Sequence, residues 1–279
     1  MEQLLNLNTS FKSTPVTSKF TPDEGPGKHR IGLVVLSNDY ATEQDFISAR
    51  PNDDVAIFVS RVPNTSDCTL DSLPKMAPFI TKATELIVPE GRLDTIAYAC
   101  TSGTVVMGYE TICKKIHAVR PNIPVVTPIT ASLKALHYLN AKRIAVLTPY
   151  EDTVNSAIAS HLQSSGVKIS AFSSFLIEDN EIMAAVPPEA IFEAAIEANR
   201  TDTDALFISC TAIRALKVAE RIEKEIGKPV ITANQAMIWE TLRISGYSKP
   251  IMGFGQIYNN NLRRKKCVMK TYYQNLLVS

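Results

Sequence analysis

The sequence predicts an α/β fold made of two similar halves, each with a central parallel sheet. Short apolar runs typical of buried parallel strands alternate with segments that carry apolar residues at helical spacing. The order of these elements occurs twice, beginning at residues 30–36 and again at residues 142–150. In both series an apolar run ends in a cysteine followed by a threonine, at Cys100 and at Cys210. This pattern indicates an internal duplication of a strand–helix–strand unit.

Composition limits the class of protein. The chain has 279 residues, 45% of them apolar and 20% charged, and a net charge of +1, which fits a globular protein of one large or two ordinary domains without a nucleic-acid surface. No apolar run has the length of a membrane span, and the N-terminus does not resemble a secretory signal. The cysteine count is odd, and no two cysteines are spaced as a CxxC pair. This pattern indicates neither a disulfide framework nor a zinc site, and it favours the cytoplasm. The cysteines are Cys68, Cys100, Cys113, Cys210 and Cys267.

The first half is predicted from residue 30 onward. Residues 1–29 are rich in Ser, Thr, Asn, Pro and Lys, so we expect them to form an irregular arm. A helix is expected to begin at Thr42, where acidic residues follow in the first turn. Strands are predicted at residues 30–36, 55–60, 95–99 and 124–126, and further helices at residues 73–86, 105–119 and 131–139.

The second half repeats this order. Strands are predicted at residues 142–150, 167–172, 205–209 and 230–232, and helices at residues 154–162, 188–198, from Cys210 to about 226, and 234–246. Residues 30–127 together with 234–258 are expected to form one subdomain, and residues 128–233 the other. The tail, residues 259–279, contains a short basic run that favours a solvated face or a subunit contact.

Cys100 and Cys210 are the candidate catalytic residues. The carboxyl end of a parallel strand lies at the sheet edge where open α/β folds bind ligands. Backbone N–H groups at a following helix start suit an anion and favour the thiolate form of a nearby cysteine. We therefore expect carboxylate oxygens to be bound by the amides of Thr101, Ser102, Gly103, Thr211 and Ala212. The alternative is that both cysteines are inert, since free cysteine is among the most buried residue types.

Several established motifs are missing from the sequence. It has no GxGxxG, Walker, HExxH or GxSxG pattern, and its four histidines are not at predicted strand ends. Other polar residues do follow predicted strands, namely Asp39, Tyr150 and Asn180. Two thiols on opposite faces of one carbon can remove and return a proton next to a carboxylate without a cofactor. Helix-start amides would stabilise the enolate charge.

These residues carry a resemblance to the aspartate/glutamate racemase superfamily, in the branch of maleate isomerase, arylmalonate decarboxylase and the ectoine-utilization proteins. It covers roughly residues 30–258 and includes both cysteine motifs, residues 142–150, and the segment Asn234-Gln235-Ala236 followed by Trp239 and Leu242-Arg243. The resemblance implies two pseudo-symmetric Rossmann-like subdomains with the active site in the cleft between them, and neither a metal nor an organic cofactor.

The resemblance also implies roles for individual residues. Cys100 and Cys210 match the two family cysteines. Because both are present, the chain resembles the racemases and isomerases of the superfamily rather than its decarboxylases. Tyr150 and Asn180 match a tyrosine and an asparagine of the isomerases, whereas Asp39 stands where those enzymes carry asparagine. A carboxylate there disfavours a dicarboxylate substrate. The residues after Cys210 resemble the ectoine-utilization branch.

Other interpretations stay open at these positions. Asp39 is also suited to cap a helix, Tyr150 to line a rim, and Asn180 to form a turn or cap. Arg61 fits either a carboxylate-binding fork or a surface ion pair. Cys68, Cys113 and Cys267 do not follow predicted strands and are assigned no role.

The function expected is a racemase or isomerase of a small carboxylate or amino-acid derivative, in ectoine utilization or elsewhere, that forms a homo-oligomer. The rivals are maleate cis–trans isomerisation by covalent addition of Cys100, and a catalytically silent carboxylate-binding protein.

Overall fold

A computed structural model of the protein describes residues 12–259. Residues 12–28 contain no helix or strand. The rest of the predicted arm, residues 1–11, and all of the tail except residue 259 lie outside the described residues. Among the described residues, no helix is both long and apolar enough to span a membrane.

The strands form two four-stranded sheets with the same topology, and all their pairings are parallel. The first sheet has the order β2-β1-β3-β4 and the second the order β6-β5-β7-β8. This repetition confirms the predicted α/β class with two similar halves. The strands are β1 (His29–Leu36), β2 (Val55–Val62), β3 (Thr95–Tyr98), β4 (Val125–Val126), β5 (Arg143–Thr148), β6 (Lys168–Ser174), β7 (Ala205–Ile208) and β8 (Val230–Thr232).

Helices connect the strands. They are α1 (Thr42–Ser48), α2 (Ala77–Glu85), α3 (Thr101–Met107), α4 (Tyr109–His117), α5 (Pro128–Tyr138), α6 (Asp152–Ser164), α7 (Asn180–Ala185), α8 (Pro188–Ala198), α9 (Leu216–Ile226), α10 (Ala233–Ile244) and α11 (Gln256–Asn259). A single 3-10 turn, Leu73–Met76, precedes α2.

Two helix predictions need correction. The predicted helix over residues 105–119 is two helices, α3 and α4, because Gly108 has a φ of 83°, a conformation that interrupts a helix and suits glycine. The helix expected directly after Cys210 begins only at Leu216. Helices α7 and α11 are short and were not predicted.

The central strands β1, β3, β5 and β7 are almost wholly apolar and buried, which fits strands covered on both faces. Helix α10 packs against α5 and α1 and also contacts β3 and β8, so it touches both sheets. This packing places the carboxyl ends of β3 and β7 around a common cleft. The exact subdomain boundaries stay a prediction.

Candidate active site

Cys100 lies between β3 and α3. Its backbone is extended, with φ −147° and ψ 115°, and its sulfur is the N-cap group of α3, accepting the Gly103 N–H at 3.2 Å. A Cβ on Gly103 would lie 2.7 Å from this sulfur, so glycine is the residue that allows the close approach. The thiol is buried at the carboxyl end of the first sheet.

Cys210 occupies the corresponding place after β7 but has a different backbone. Its φ is 94°, a left-handed value that costs a non-glycine residue about 1–3 kcal/mol. Residues 211–215 are not helical, and the Ala212 N–H donates to the Cys210 sulfur at 3.3 Å. The helix start expected directly after Cys210 is therefore absent, and the amide of Ala212 faces the thiol from a bent loop. Anion binding by Thr211 and Ala212 stays a prediction.

Both cysteines line one cavity. The cavity has room for the centres of only one or two water molecules, about 20 Å³. Its wall contains nine of the ten predicted site residues, namely Asp39, Cys100, Thr101, Ser102, Tyr150, Asn180, Cys210, Thr211 and Ala212. It also contains five residues that were not predicted: Leu36, Asn38, Asn64, Cys68 and Leu73. Gly103 is the predicted residue that does not line the cavity.

Burial dominates the acidity of the two thiols. It raises the pKa of Cys100 to about 12, although hydrogen bonds from Gly103 and Ser102 act in the opposite direction. It raises the pKa of Cys210 to about 11, opposed by the interactions with Tyr150 and with backbone amides. At Cys100 the helix-start effect that we expected to favour thiolate is present but smaller than the desolvation. Both groups are thiols at neutral pH in this arrangement.

The Asp39 carboxylate is engaged by the start of α1. One of its oxygens, Oδ1, accepts the N–H groups of Ala41 at 2.9 Å and Thr42 at 2.7 Å, and Oδ2 accepts the Thr42 hydroxyl at 2.6 Å. Desolvation raises the pKa of this carboxyl above its usual range, although these hydrogen bonds lower it. The geometry supports the helix-capping interpretation, while the side chain still forms part of the cavity wall.

Two hydroxyls in the cavity wall are buried without a hydrogen-bond partner among the described residues, those of Thr101 and Tyr150. The Tyr150 hydroxyl lies near the Cys210 sulfur, near enough to lower the pKa of that thiol. The geometry of the two groups does not meet the criteria for a hydrogen bond between the Tyr150 hydroxyl and the Cys210 sulfur. Buried polar groups are rarely left unpaired in folded proteins. These two hydroxyls are thus available to a ligand oxygen.

Asn180 holds a loop across the cleft. We name residues 63–72 the cover loop. The Asn180 side-chain amide donates to the Ser66 carbonyl at 2.9 Å, and its backbone N–H donates to the same carbonyl at 2.7 Å. The Cys68 N–H donates to the Glu178 carbonyl at 2.9 Å. The Asn180 side-chain N–H groups are therefore used in hydrogen bonds to the cover loop, which bridges the two halves at the cavity.

The backbone amides proposed for carboxylate binding divide into two groups. Those of Gly103 and Ala212 donate to the sulfurs of Cys100 and Cys210, and their binding of substrate oxygens stays a prediction. Those of Thr101, Ser102 and Thr211 donate to no acceptor within residues 12–259. The first two begin α3 and lie beside Cys100, where an anionic oxygen would find N–H donors.

Beneath the cavity lies a buried polar network that joins the two halves. The Asn234 side-chain amide donates to Asp45 Oδ2 at 2.8 Å and to the Thr211 carbonyl at 2.9 Å. The Thr211 hydroxyl donates to the Ala99 carbonyl at 3.3 Å. The residues next to Cys100 and Cys210 are thus linked directly. Nothing in the sequence pattern around Asp45 predicts its place in this network.

Comparison with known families identifies the chain. The family model described as arylmalonate decarboxylase matches residues 103–258, which is more than half of the sequence. The chain belongs to the arylmalonate decarboxylase family. Its relatives are enzymes, and the match confirms the resemblance to the branch of maleate isomerase and arylmalonate decarboxylase.

Relatives of this family cover most of the chain. The maleate isomerase of Nocardia farcinica is 25% identical over 242 residues, which are 83% of this chain and 96% of that protein. A solved structure of the maleate isomerase from Pseudomonas putida S16 with maleate has a TM-score of 0.77 at 22% identity, covering 84% of this chain and 99% of that one. A Nocardia farcinica maleate cis–trans isomerase variant with a covalently bound succinylcysteine intermediate has a TM-score of 0.76 at 23% identity, covering 83% and 98% of the respective chains. At these identities the solved structures establish the shared fold.

Cys68 is the cysteine of the cavity wall that sequence reasoning missed. It follows no strand, so nothing in its local pattern indicates a place at the cavity. Only the pairing of the cover loop with residues 178–180 brings it there. No group of three or more His, Cys, Asp or Glu side chains among the described residues is arranged to hold a metal ion. Independence from cofactors stays a prediction.

Proposed function

We propose that the protein is a cofactor-independent isomerase or racemase that acts on a small carboxylate by proton transfer between Cys100 and Cys210. The observation that carries this proposal is that two cysteines from two different sheets line one small cavity. A cysteine in each half can act on one face of a substrate held between the halves. One sulfur, as thiolate, takes a proton from the carbon next to the carboxylate, and the other thiol returns one from the opposite face.

The polar groups of the cavity suit a carboxylate. The hydroxyls of Thr101 and Tyr150 are buried and unpaired, and the amides of Thr101 and Ser102 lack acceptors in the described chain. These donors would bind carboxylate oxygens and stabilise the negative charge that develops when the carbon loses its proton. Their position beside the sulfurs supports a substrate whose carboxylate adjoins the reacting carbon.

Asp39 supports a substrate with an amino group. Its carboxyl group is in the cavity wall, and a second carboxylate of the substrate nearby would be repelled if both were ionised. A substrate ammonium would instead be attracted. This favours an amino-acid derivative, a class that includes the intermediates of ectoine catabolism.

A second candidate is cis–trans isomerisation of maleate by covalent addition. Curated relatives that span most of the chain are named maleate isomerases, and one solved relative holds a succinylcysteine. In this reaction the Cys100 thiolate would add to the double bond, the new single bond would rotate, and expulsion of the sulfur would restore the alkene. The capped Asp39 carboxyl is the feature that argues against a dianionic substrate.

The test is deuterium incorporation in D₂O across a panel of amino acids, N-acetylated diamino acids, hydantoins and maleate. Proton transfer predicts deuterium at the carbon next to the carboxylate, with Cys100→Ala and Cys210→Ala each abolishing racemisation. Any deuterium exchange that remains should come from one enantiomer in Cys100→Ala and from the other enantiomer in Cys210→Ala. Cys113→Ala, a buried cysteine outside the cavity wall, is the control and should keep full activity.

The other functions give different results. Covalent isomerisation predicts conversion of maleate and, in Cys210→Ser, a substrate adduct on Cys100 detected by mass spectrometry. Binding of a panel member without exchange or conversion would indicate a silent binding protein. Exchange that persists in the double variant Cys100→Ala/Cys210→Ala would exclude both cysteine mechanisms.

A further inference from the structure

Cys68 places a third thiol at the cavity, and it is linked to Cys100 by one side chain. The Cys68 sulfur lies 3.5 Å from the Ser102 hydroxyl oxygen. That oxygen lies 3.9 Å from the Cys100 sulfur. All three residues are buried and line the cavity. A hydroxyl both donates and accepts, so Ser102 can connect the two sulfurs.

Cys68 is a buried residue of the cavity wall on a loop that reaches the surface. It is carried by the cover loop, where Leu70 and Asp71 are exposed within three residues of it. The Cys68 N–H is held by the Glu178 carbonyl at 2.9 Å. The sulfur is therefore fixed toward Ser102, while the neighbouring backbone of the same loop faces water.

The chemistry of Cys100 requires a route for a proton. A cysteine acts as a base only as the thiolate, so the Cys100 thiol must lose its proton before it can accept one from carbon. The cavity has room for the centres of only one or two water molecules. The other titratable side chains that act on Cys100 are Asp39, Tyr98, Tyr150 and Cys210, and none of these four has a hydrogen bond to its sulfur. The Ser102 hydroxyl is within hydrogen-bond distance of it, at 3.9 Å.

We propose that Ser102 and Cys68 form the path by which Cys100 exchanges its proton with solvent. This proposal deepens the proposed function and rests on it in one respect, that Cys100 acts as a base. Cys68 and Ser102 are positioning residues in this scheme, since they act through Cys100.

The transfer conserves protons at every step. The Cys68 thiol first releases its proton to water and becomes a thiolate, which is a minor species because burial raises the pKa of this thiol well above its usual range. The Cys100 thiol then gives its proton to the Ser102 oxygen while the Ser102 hydroxyl proton passes to the Cys68 sulfur. Cys100 is left as thiolate, Ser102 as hydroxyl and Cys68 as thiol, and the net change is one proton from Cys100 to water.

The local donors favour the charge on Cys100. Its sulfur accepts the Gly103 N–H, whereas the Cys68 sulfur accepts no backbone N–H within the described part of the chain. Hydrogen bonds to a thiolate stabilise it. Among the described residues, no serine and cysteine pair like Ser102 and Cys68 is linked to the Cys210 sulfur, which has the Tyr150 hydroxyl near it instead. The two candidate bases thus differ in how they exchange protons.

The test is the rate at which the Cys100 S–H group becomes S–D in D₂O, followed by its infrared stretching band without substrate. The band is assigned by its loss in Cys100→Ala. Cys68→Val keeps a similar side-chain volume but carries no exchangeable proton, and Ser102→Ala removes the connecting hydroxyl. Both variants should slow the exchange by at least about tenfold, since a positioned proton donor or acceptor speeds transfer by orders of magnitude.

Two further variants separate a relay from a structural effect. Cys68→Ser restores a hydroxyl proton at the same place and should retain exchange close to the wild-type rate. Cys113→Val changes a buried cysteine elsewhere and should also retain it. Exchange at the wild-type rate or faster in Ser102→Ala or in Cys68→Val would overturn the proposal. Because substrate is absent, this result is independent of the deuterium test on the substrate panel, where the proposed function itself succeeds or fails.

Discussion

Asn234 donates its side-chain amide to the carbonyl of Thr211 at 2.9 Å, and so fixes the loop that follows Cys210 to helix α10. The same amide group donates to the buried carboxyl of Asp45 at 2.8 Å. Because Cys210 has a φ of 94°, its loop needs external contacts to keep that conformation. Asn234 supplies one from the start of α10.

We therefore expect Asn234→Ala to impair both stability and the reaction at Cys210. The substitution leaves a buried carbonyl and a buried carboxyl without donors, each a loss of about 1–3 kcal/mol in the free energy of unfolding. Chemical denaturation measures this loss, and Gln163→Ala on the exposed side of α6 is the control. Exchange from the enantiomer served by Cys210 should fall more than exchange from the other. Equal loss at both faces would show that Asn234 does not act specifically on the Cys210 loop.

Asp45 predicts a pH dependence of stability. Burial raises the pKa of its carboxyl to about 7, against an ordinary value near 3.8 in the unfolded chain. Between these values the folded protein binds more protons than the unfolded chain, so this residue makes stability fall as the pH rises. The contribution is fully present below about pH 4 and is lost as the pH rises through about 7.

The measurement is the free energy of unfolding of the wild type and Asp45→Asn from pH 4 to pH 8. The wild-type value minus the variant value should decrease across this interval by up to a few kcal/mol. Asp53→Asn changes an exposed carboxylate nearby and should leave the wild-type profile unaltered. A constant difference between wild type and Asp45→Asn would mean that Asp45 does not titrate in this range.

Gly103→Ala should displace the Cys100 sulfur. The added Cβ would lie 2.7 Å from that sulfur and 3.0 Å from the Met76 methyl group, closer than side chains tolerate. Overpacking of this kind costs about 1–3 kcal/mol in folding free energy. In a Cys100→Ala background the nearer contact is gone, so the same substitution should cost clearly less. A double-mutant cycle by thermal or chemical denaturation gives this coupling, and additive costs would contradict the proposed contact.

The central strands and the two cysteine positions were predictable because they depend on local sequence. Apolar runs in the sequence predict buried parallel strands. Because the order of elements occurs twice, the assignment of strands and helices in one half supports the assignment in the other. The course of the chain after Cys210 was not predictable, because its positive φ is stabilised by Asn234, which is distant in sequence. Cys68 was missed for the same reason, since its place depends on contacts between the cover loop and residues 178–180.

Asn180 should control how firmly the cover loop is closed. Its side-chain and backbone N–H groups both donate to the Ser66 carbonyl. Asn180→Ala removes the side-chain donor, and Asn180→Asp replaces it with an acceptor that repels the carbonyl. Since a net hydrogen bond is worth about 1 kcal/mol, the open population of the loop should rise severalfold in the first variant and further in the second.

The rate of Cys68 alkylation by iodoacetamide reports this opening, resolved from the other cysteines by peptide mass spectrometry. Cys113 is the reference within the same molecule, because it is buried on α4 outside the cavity wall. Glu181→Gln, an exposed change on α7 next to Asn180, should leave the ratio of the two rates at the wild-type value. The cavity holds only one or two waters when the loop is closed, so a substrate has to enter through the open form. If Asn180→Asp leaves Cys68 as protected as in the wild type, other contacts keep the loop in place, and Asn180 is left free to bind substrate.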